Sequence, residues 1–340
     1  MRRLACIILG LLLLSGCTVN KAPQQKQYTA TFLNLFDTVT TVVGKAESQE
    51  AFEEKIQPLY NELEYYHKLF DIYEEYEGIN NLKTVNDKAA VSPVKVDTVI
   101  LELLQDCKDY YLSTDGTFNF AMGSVLKLWH DARQDGINDP ENAYLPDSDK
   151  LKEAALHIDP KNVILDTENS TVFFADPHLR LDVGGIAKGW AVQRAGQNAS
   201  KDLLLSVGGN VYATGPKNEK GNPWAVGIKN PNDDSKYLHT LNITKGSVVT
   251  SGSYHRAYAV DGKLYHHIID PDTLYPSEKW VSVTIVTEDS GLSDVLSTSL
   301  FLLDREDGQV LLDRFGAKAM WVDAKGNKYY SSGFQELIKN

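Results

Sequence analysis

Hydrophobic positions along the chain change their period several times, and each change predicts an element. Residues 28–43 alternate and are rich in Thr, Val and Phe, the pattern of a β-strand. Asp37 interrupts that strand near its middle and marks a functional edge or a bend. Phe52, Ile56, Leu59 and Leu63 recur at spacings of four, three and four, which predicts a long helix over 48–69. Pro58 lies inside it and is expected to kink or interrupt it, because proline lacks the helical donor and crowds the preceding turn. Ile100, Leu103, Leu104 and Cys107 repeat the helical period over 97–112, with Asp97 placed as the cap. Residues 131–150 are rich in Asp, Asn and Pro and read as an exposed loop.

The second half is β-rich. A hairpin is expected over 163–174, around Glu168-Asn169. Residues 203–215 read as strand, Gly-Gly turn, strand, and further strands are expected at 224–228, 237–243, 247–250, 257–267 and 280–287. Helices follow at 293–303 and 306–315, then a hairpin around Ala324-Lys325-Gly326. With no internal repeat and no clear linker after residue 28, one compact α+β unit of antiparallel strands is the simplest fold.

Charge narrows the partners. Acidic residues outnumber basic ones, 46 to 34, for a formal net charge of −12, so no basic surplus exists to neutralise a nucleic acid. An anionic ligand would need local help from a metal or a helix dipole. The N-terminus stands apart from the fold. Arg2 and Arg3 precede an apolar run from Leu4 to Leu14, too short to span a bilayer. Leu14-Ser15-Gly16-Cys17 resembles a bacterial lipobox, so residues 1–17 are expected to carry a lipoprotein signal, cleaved before Cys17, with Cys17 lipidated. The alternative is an ordinary secretory signal. Losing Arg2 and Arg3 takes the formal charge to −14. Residues 18–27 read as a polar tether and 28–340 as the folded domain. Cys107 then has no disulfide partner and suits core packing.

Four stretches could carry chemistry. L-D-V-G-G-I-A-K-G-W-A (181–191) reads as strand end, glycine turn and helix start, a seat for a phosphate on free N–H groups or simply a close helix–sheet contact. Asp294 and Thr298 lie four apart on one helix face. They could hold a hard cation such as Mg²⁺, or cap the helix and bond back to a carbonyl. In Y-H-H-I-I-D-P (265–271), His266 and His267 face opposite sides of a strand, so only one can enter a site, as a base. V-T-S-G-S-Y-H-R (249–256) reads as a strand ending in a turn whose N–H groups could meet an anion. Neither G-x-S-x-G nor a P-loop motif occurs.

Taken together with G-T-F-N-F-A-M-G-S-V-L-K-L-W (116–129) and L-S-V-G-G-N-V (205–211), these stretches resemble the ApbE family, the FAD:protein FMN transferases, over nearly the whole mature chain. The resemblance implies a T-fold-like α+β architecture around an FAD cleft. It implies Mg²⁺ held by Asp294, Thr298 and the carbonyl of Gly185. Asp182 matches an FAD-contacting acid, and Phe36, Tyr73, Thr117, Phe118 and Asn119 correspond to parts of the flavin or adenine cleft. Lys188, Thr250, Ser251 and Gly252 join the FAD-binding set, and His267 is the candidate base. Asn119, Ser124, Phe36-Asp37 and Leu274 stand where the family usually has Asp, Pro, Met-Gly and Gly, all in the FAD cleft; the metal pair is intact. The implied reaction moves FMN from FAD to a Thr or Ser hydroxyl of a flavin-acceptor protein of a membrane redox complex. It takes place on the outer side of a bacterial membrane, with the bilayer reached through Cys17. Alternatives are an FAD pyrophosphatase releasing FMN and AMP, and a non-catalytic FAD-binding lipoprotein.

Overall fold

A computed structural model describes residues 25–254 and 256–339. The lipobox, Cys17 and the leader lie outside them. The expected single strand at 28–43 is a hairpin, β1 (Lys26–Leu35) and β2 (Thr38–Ala46), and Lys26 and Gln27, read as tether, open β1. Phe36 and Asp37 form its two-residue turn, both left-handed at φ 52° and 51°. Two left-handed residues give the turn whose twist matches that of paired strands. The first helix, α1 (Gln49–Phe70), is capped by Ser48 and runs unbroken through Pro58. The Glu54 carbonyl that Pro58 leaves without its helical partner belongs to an exposed residue, so water can satisfy it.

After α2 (Leu82–Lys88) and β3 (Val94–Lys95), Asp97 caps α3 (Thr98–Ser113) through the Val99 N–H at 2.9 Å, and Cys107 is buried on its inner stripe. The loop expected at 131–150 is largely helical, with α4 (Gly123–Asn138) and α5 (Ser148–Ala154). Val125, Trp129, Ala132 and Gly136 make the buried stripe of α4; its last two members are too small to register as hydrophobic periodicity. Strands β4 (Val163–Asp166) and β5 (Thr171–Phe174) form the expected hairpin, with β3 alongside β5. Then come α6 (Ala187–Asn198), the Gly208-Gly209 hairpin of β6 (Leu204–Val207) and β7 (Asn210–Ala213), and the long hairpin of β8 (Trp224–Asn230) and β9 (Asp233–Ile243). Next is β10 (Gly246–Gly252). The strand expected at 257–267 is two short ones, β11 (Tyr258–Val260) and β12 (Lys263–Tyr265), folded back at Asp261-Gly262. The chain finishes with β13 (Ser282–Thr287), α7 (Ser290–Leu302), α8 (Arg305–Phe315), β14 (Lys318–Val322) and β15 (Lys328–Tyr330).

An antiparallel sheet ordered β1-β2-β6-β7-β10-β13-β14-β15 runs through the molecule. Period-two alternation gives it two buried faces. Val283, Ile285, Ala319 and Trp321 point to the side of α7, while Val248, Met320 and Val322 pack with Trp224, Val226 and Leu241 of the β8–β9 hairpin. Helices α1, α6 and α7 lie on the first side. The turns at Phe36-Asp37 and Gly208-Gly209, the end of β10 and the start of β13 gather at one end of the sheet. That end carries the site.

Candidate active site

The site is built where α6 crosses α7. Serines keep α7 thin: Ser293 Oγ meets Ser247 Oγ at 2.7 Å, and Ser297 Oγ meets Ser251 Oγ at 2.8 Å, seating the helix close on β10. On the α6 side, a Cβ on Gly189 would fall 2.2 Å from the Ser290 carbonyl oxygen and 2.7 Å from Asp294 Cβ. Only glycine permits that approach. Asp294 is 5% exposed, and its Oδ2 accepts the Gly189 N–H at 2.9 Å. Gly189 is the third residue of α6, so the carboxylate sits on the positive end of that helix. Capping of its own helix, the bland reading of Asp294, does not occur, because Asp289 caps α7 through the Leu292 N–H at 2.9 Å. Thr298 Oγ1 does reach back to the Asp294 carbonyl, at 3.4 Å.

The Gly184-Gly185 turn closes the other side. Neither glycine has a positive φ; the need is for space. A Cβ on Gly185 would lie 3.3 Å from Thr298 Oγ1 and 3.4 Å from the Phe118 ring. Four of the N–H groups at this helix start are already used. Gly184 N–H donates to Asp182 Oδ1 at 2.8 Å, those of Ile186 and Ala187 donate to the Val183 carbonyl, and that of Gly189 donates to Asp294. A phosphate cannot take them without displacing those partners. Lys188 Nζ donates to the Gly184 carbonyl at 3.2 Å and stands 3.6 Å from Asp294 Oδ2. Asp294, Thr298, Gly185, Lys188, Asp182 and Phe118 therefore meet at one place.

The remaining expected residues divide. Phe36 sits on the β1–β2 turn, its N–H donating to His67 Nδ1 at 3.2 Å and its ring edge-on to His67. Tyr73 stacks on His130 with centroids 4.7 Å apart, and its hydroxyl is 3.2 Å from His130 Nδ1. Burial and then the Asp182 charge push the Tyr73 phenol up to about 12. In the 117–119 segment only the Phe118 ring borders Gly185. Thr117 Oγ1 donates to the Thr114 carbonyl, and Asn119 bridges the Ala121 N–H and the Ile158 carbonyl. Thr250 and Ser251 lie inside β10, which pairs with β13 as far as Gly252, so the expected turn comes two residues later, at Ser253-Tyr254. The Thr250 and Ser251 hydroxyls are taken by Thr284 and Ser297.

Of the two histidines, His266 is structural. Its Nε2 donates to the Ser277 carbonyl at 2.7 Å and its Nδ1 accepts the Ile268 N–H. His267 has a buried Nδ1 with no hydrogen-bond partner. Burial, followed by the charges of Arg256, His266, Arg133 and Lys188, lowers it to about 3, so the ring is neutral near pH 7. Arg133 and His130 belong to no motif in the sequence, and Arg256 closes the V-T-S-G-S-Y-H-R stretch without being singled out by it. A separate cavity of about 490 Å³ beside the end of α1, lined by Tyr65, Tyr76, Asn80, Lys88, Lys95 and Asp97 among others, holds none of these groups.

The geometry can be set beside known proteins. The ApbE family model matches residues 36–321. An FAD:protein FMN transferase of Klebsiella pneumoniae (strain 342) is 33% identical over 254 residues, covering 71% of this chain and 76% of that protein. One of Treponema pallidum (strain Nichols) is 33% identical over 277 residues, covering 76% and 75%. The crystal structure of the ApbE protein of Thermotoga maritima superposes with a TM-score of 0.81 at 29% identity, over 93% of this chain and 100% of that one. The flavin transferase ApbE of Vibrio cholerae shares the fold, with a TM-score of 0.74 at 21% identity, over 92% and 100%. With the match running through both the glycine turn of α6 and the Asp294–Thr298 face of α7, the chain belongs to the ApbE family.

Proposed function

We propose that this chain transfers FMN from FAD to a Thr or Ser hydroxyl of a target protein, with AMP as the leaving group. The observation that carries the reading is the convergence of a buried carboxylate, a hydroxyl and a glycine backbone at the α6–α7 crossing. These are hard oxygen donors, the set that suits Mg²⁺ with substrate phosphates and water completing the shell. The Lys188 ammonium, 3.6 Å from Asp294 Oδ2, is a cation already drawn to that place. Asp294, Thr298 and the Gly185 carbonyl would hold the ion. Bound there, Mg²⁺ supplies charge neutralisation on the pyrophosphate of FAD.

The protein's own groups do the rest. His267 is neutral and can accept the proton of the acceptor hydroxyl as its oxygen bonds to the FMN phosphorus. Its proton affinity is held down by burial and by neighbouring cations, and the negative pyrophosphate offsets those charges when FAD arrives. Phe118 walls the glycine turn, and the Tyr73–His130 stack offers a second aromatic surface. Outside the described residues, a lipid on Cys17 would hold the enzyme at the outer face of the membrane, where acceptor subunits of redox complexes present their hydroxyls.

The test is incubation of the purified chain with FAD, Mg²⁺ and a flavoprotein subunit. A fluorescent protein band after denaturing electrophoresis is expected. Free FMN and AMP without a band would make the enzyme a pyrophosphatase, and retained FAD without turnover would make it a binding protein.

A further inference from the structure

The six arginines among the described residues fall into two groups. Arg180, Arg194, Arg305 and Arg314 each lie within 4.0 Å of a carboxylate. Arg133 and Arg256 pair with no carboxylate among the described residues, in a chain where acids outnumber bases 46 to 34. Both belong to one corner. Helix α4 packs on β11 so closely that a Cβ on Gly136 would fall 2.8 Å from the Tyr258 ring. Arg133 stands one turn before Gly136, and Arg256 two residues before Tyr258. Burial and the charge of Arg256 both work against the charge on Arg133. Two guanidinium groups whose charges oppose each other are unfavourable unless an anion joins them.

The way Arg133 is held points the same way. Its Nη2 donates to His130 Nδ1 at 3.1 Å, and His130 is braced by its stack on Tyr73. Burial and Arg133 itself keep His130 from charging. A carboxylate in that position would fix the guanidinium and cancel it. A neutral imidazole fixes it and leaves the charge for a ligand. The charges of Arg133, Arg256 and Lys188 all act on His267, and Lys188 stands 3.6 Å from Asp294 Oδ2, which sets the pair toward the Asp294 site.

We propose that Arg133 and Arg256 form a guanidinium clamp for the phosphate that departs with AMP, with His130 as the residue that positions Arg133. The proposal rests on the transferase reading. In that step the acceptor oxygen bonds to the FMN phosphorus and its proton passes to His267. The bond from that phosphorus to the bridging oxygen breaks, and the bridging oxygen keeps the electron pair and leaves on AMP. Charge grows on the AMP phosphate as this happens, and guanidinium N–H groups stabilise it with paired charge-assisted hydrogen bonds.

The experiment measures AMP and riboflavin binding to the purified chain by calorimetry and flavin fluorescence, for Arg133→Met, Arg256→Met and the double variant. Melting curves confirm the fold, and exposed Arg256 is the substitution that burdens it least. Each single change should weaken AMP binding at least tenfold and flatten its salt dependence, leaving riboflavin binding within twofold. Arg133→Lys should recover part of the loss. His130→Phe keeps the stack on Tyr73 but removes the acceptor; it should weaken AMP binding by a smaller factor and lower kcat more than it changes KM for FAD. If the parent binds AMP and transfers FMN while the double variant binds AMP within twofold of it, the clamp is wrong and the transferase reading stands. A parent that binds neither FAD nor AMP overturns both.

Discussion

Gly189→Ala adds one methyl group at the contact that aims Asp294. The new carbon would meet the Ser290 carbonyl oxygen at 2.2 Å and Asp294 Cβ at 2.7 Å, and neither atom can rotate aside. Restoring ordinary contact requires α6 and α7 to part by roughly 1 Å. Overpacking of this kind costs about 1–3 kcal/mol. Moving the helices apart also breaks the bond from the Gly189 N–H to the Asp294 carboxylate, worth about 1.5–3 kcal/mol for a charged acceptor. Alanine's better helix propensity returns about 1 kcal/mol. The net loss is about 1.5–5 kcal/mol, a drop in Tm of about 2–7 °C for a chain of this size. Differential scanning calorimetry reads it directly. The same methyl at Gly185 meets Thr298 Oγ1 and the Phe118 ring at 3.3 and 3.4 Å, contacts that small side-chain shifts relieve, so Gly185→Ala should cost under about 1 kcal/mol. A Gly189→Ala protein that melts with the parent, or a Gly185→Ala protein that melts lower than Gly189→Ala, would refute the close crossing.

Three other outcomes are expected. His267 titrates at about 3 when folded and near 6.5 when unfolded, so the unfolded chain binds the extra proton and the folded chain loses stability as pH falls from 6.5 towards 3. His267→Gln should remove about 1–2 kcal/mol of the loss between pH 8 and pH 5 in urea titrations; an unchanged loss would mean that the ring is not held neutral. Asp37→Gly places glycine at a left-handed turn position and should raise stability by about 0.5–1 kcal/mol, read as a higher urea midpoint. A lower midpoint would contradict the turn. Cys107 is fully buried, and its thiol is pushed up by burial, so it should resist a thiol reagent until denaturant is added; rapid labelling of native protein would contradict its place on α3.

The residues that pattern makes legible are those whose physics is local. The stripe of α1, the Asp97 cap, the glycine hairpin at 208–209 and the one-turn spacing of Asp294 and Thr298 all follow from spacing of three and four or from turn chemistry. What stayed hidden depends on contacts between distant segments. Asp37 marks a bend, but without glycine or asparagine the two-residue hairpin turn at Phe36-Asp37 is not announced. Ala132 and Gly136 serve α4 by being small, so 131–138 looked like loop. The role of Asp294 as cap of α6 cannot be read from its own neighbours, because its partner is 105 positions away. Ser251-Gly252 reads as the turn that ends a strand, yet the Ser251 hydroxyl meets Ser297 of α7 and the strand runs on to Gly252. Arg133 and Arg256 become informative only once the fold shows that no carboxylate attends them.

The central claim is that the Asp294 carboxylate, set between two helices, makes flavin transfer possible. Asp294→Ala removes it while giving up the one bond to the Gly189 N–H, a cost of about 1.5–3 kcal/mol that the fold should survive. The decisive measurement is covalent flavin labelling of an acceptor protein by this variant in the presence of FAD and Mg²⁺, with circular dichroism confirming that it is folded. A folded variant that leaves the acceptor dark, beside a parent that makes it fluoresce, is the expected result; a folded variant that labels at the parental rate would contradict it.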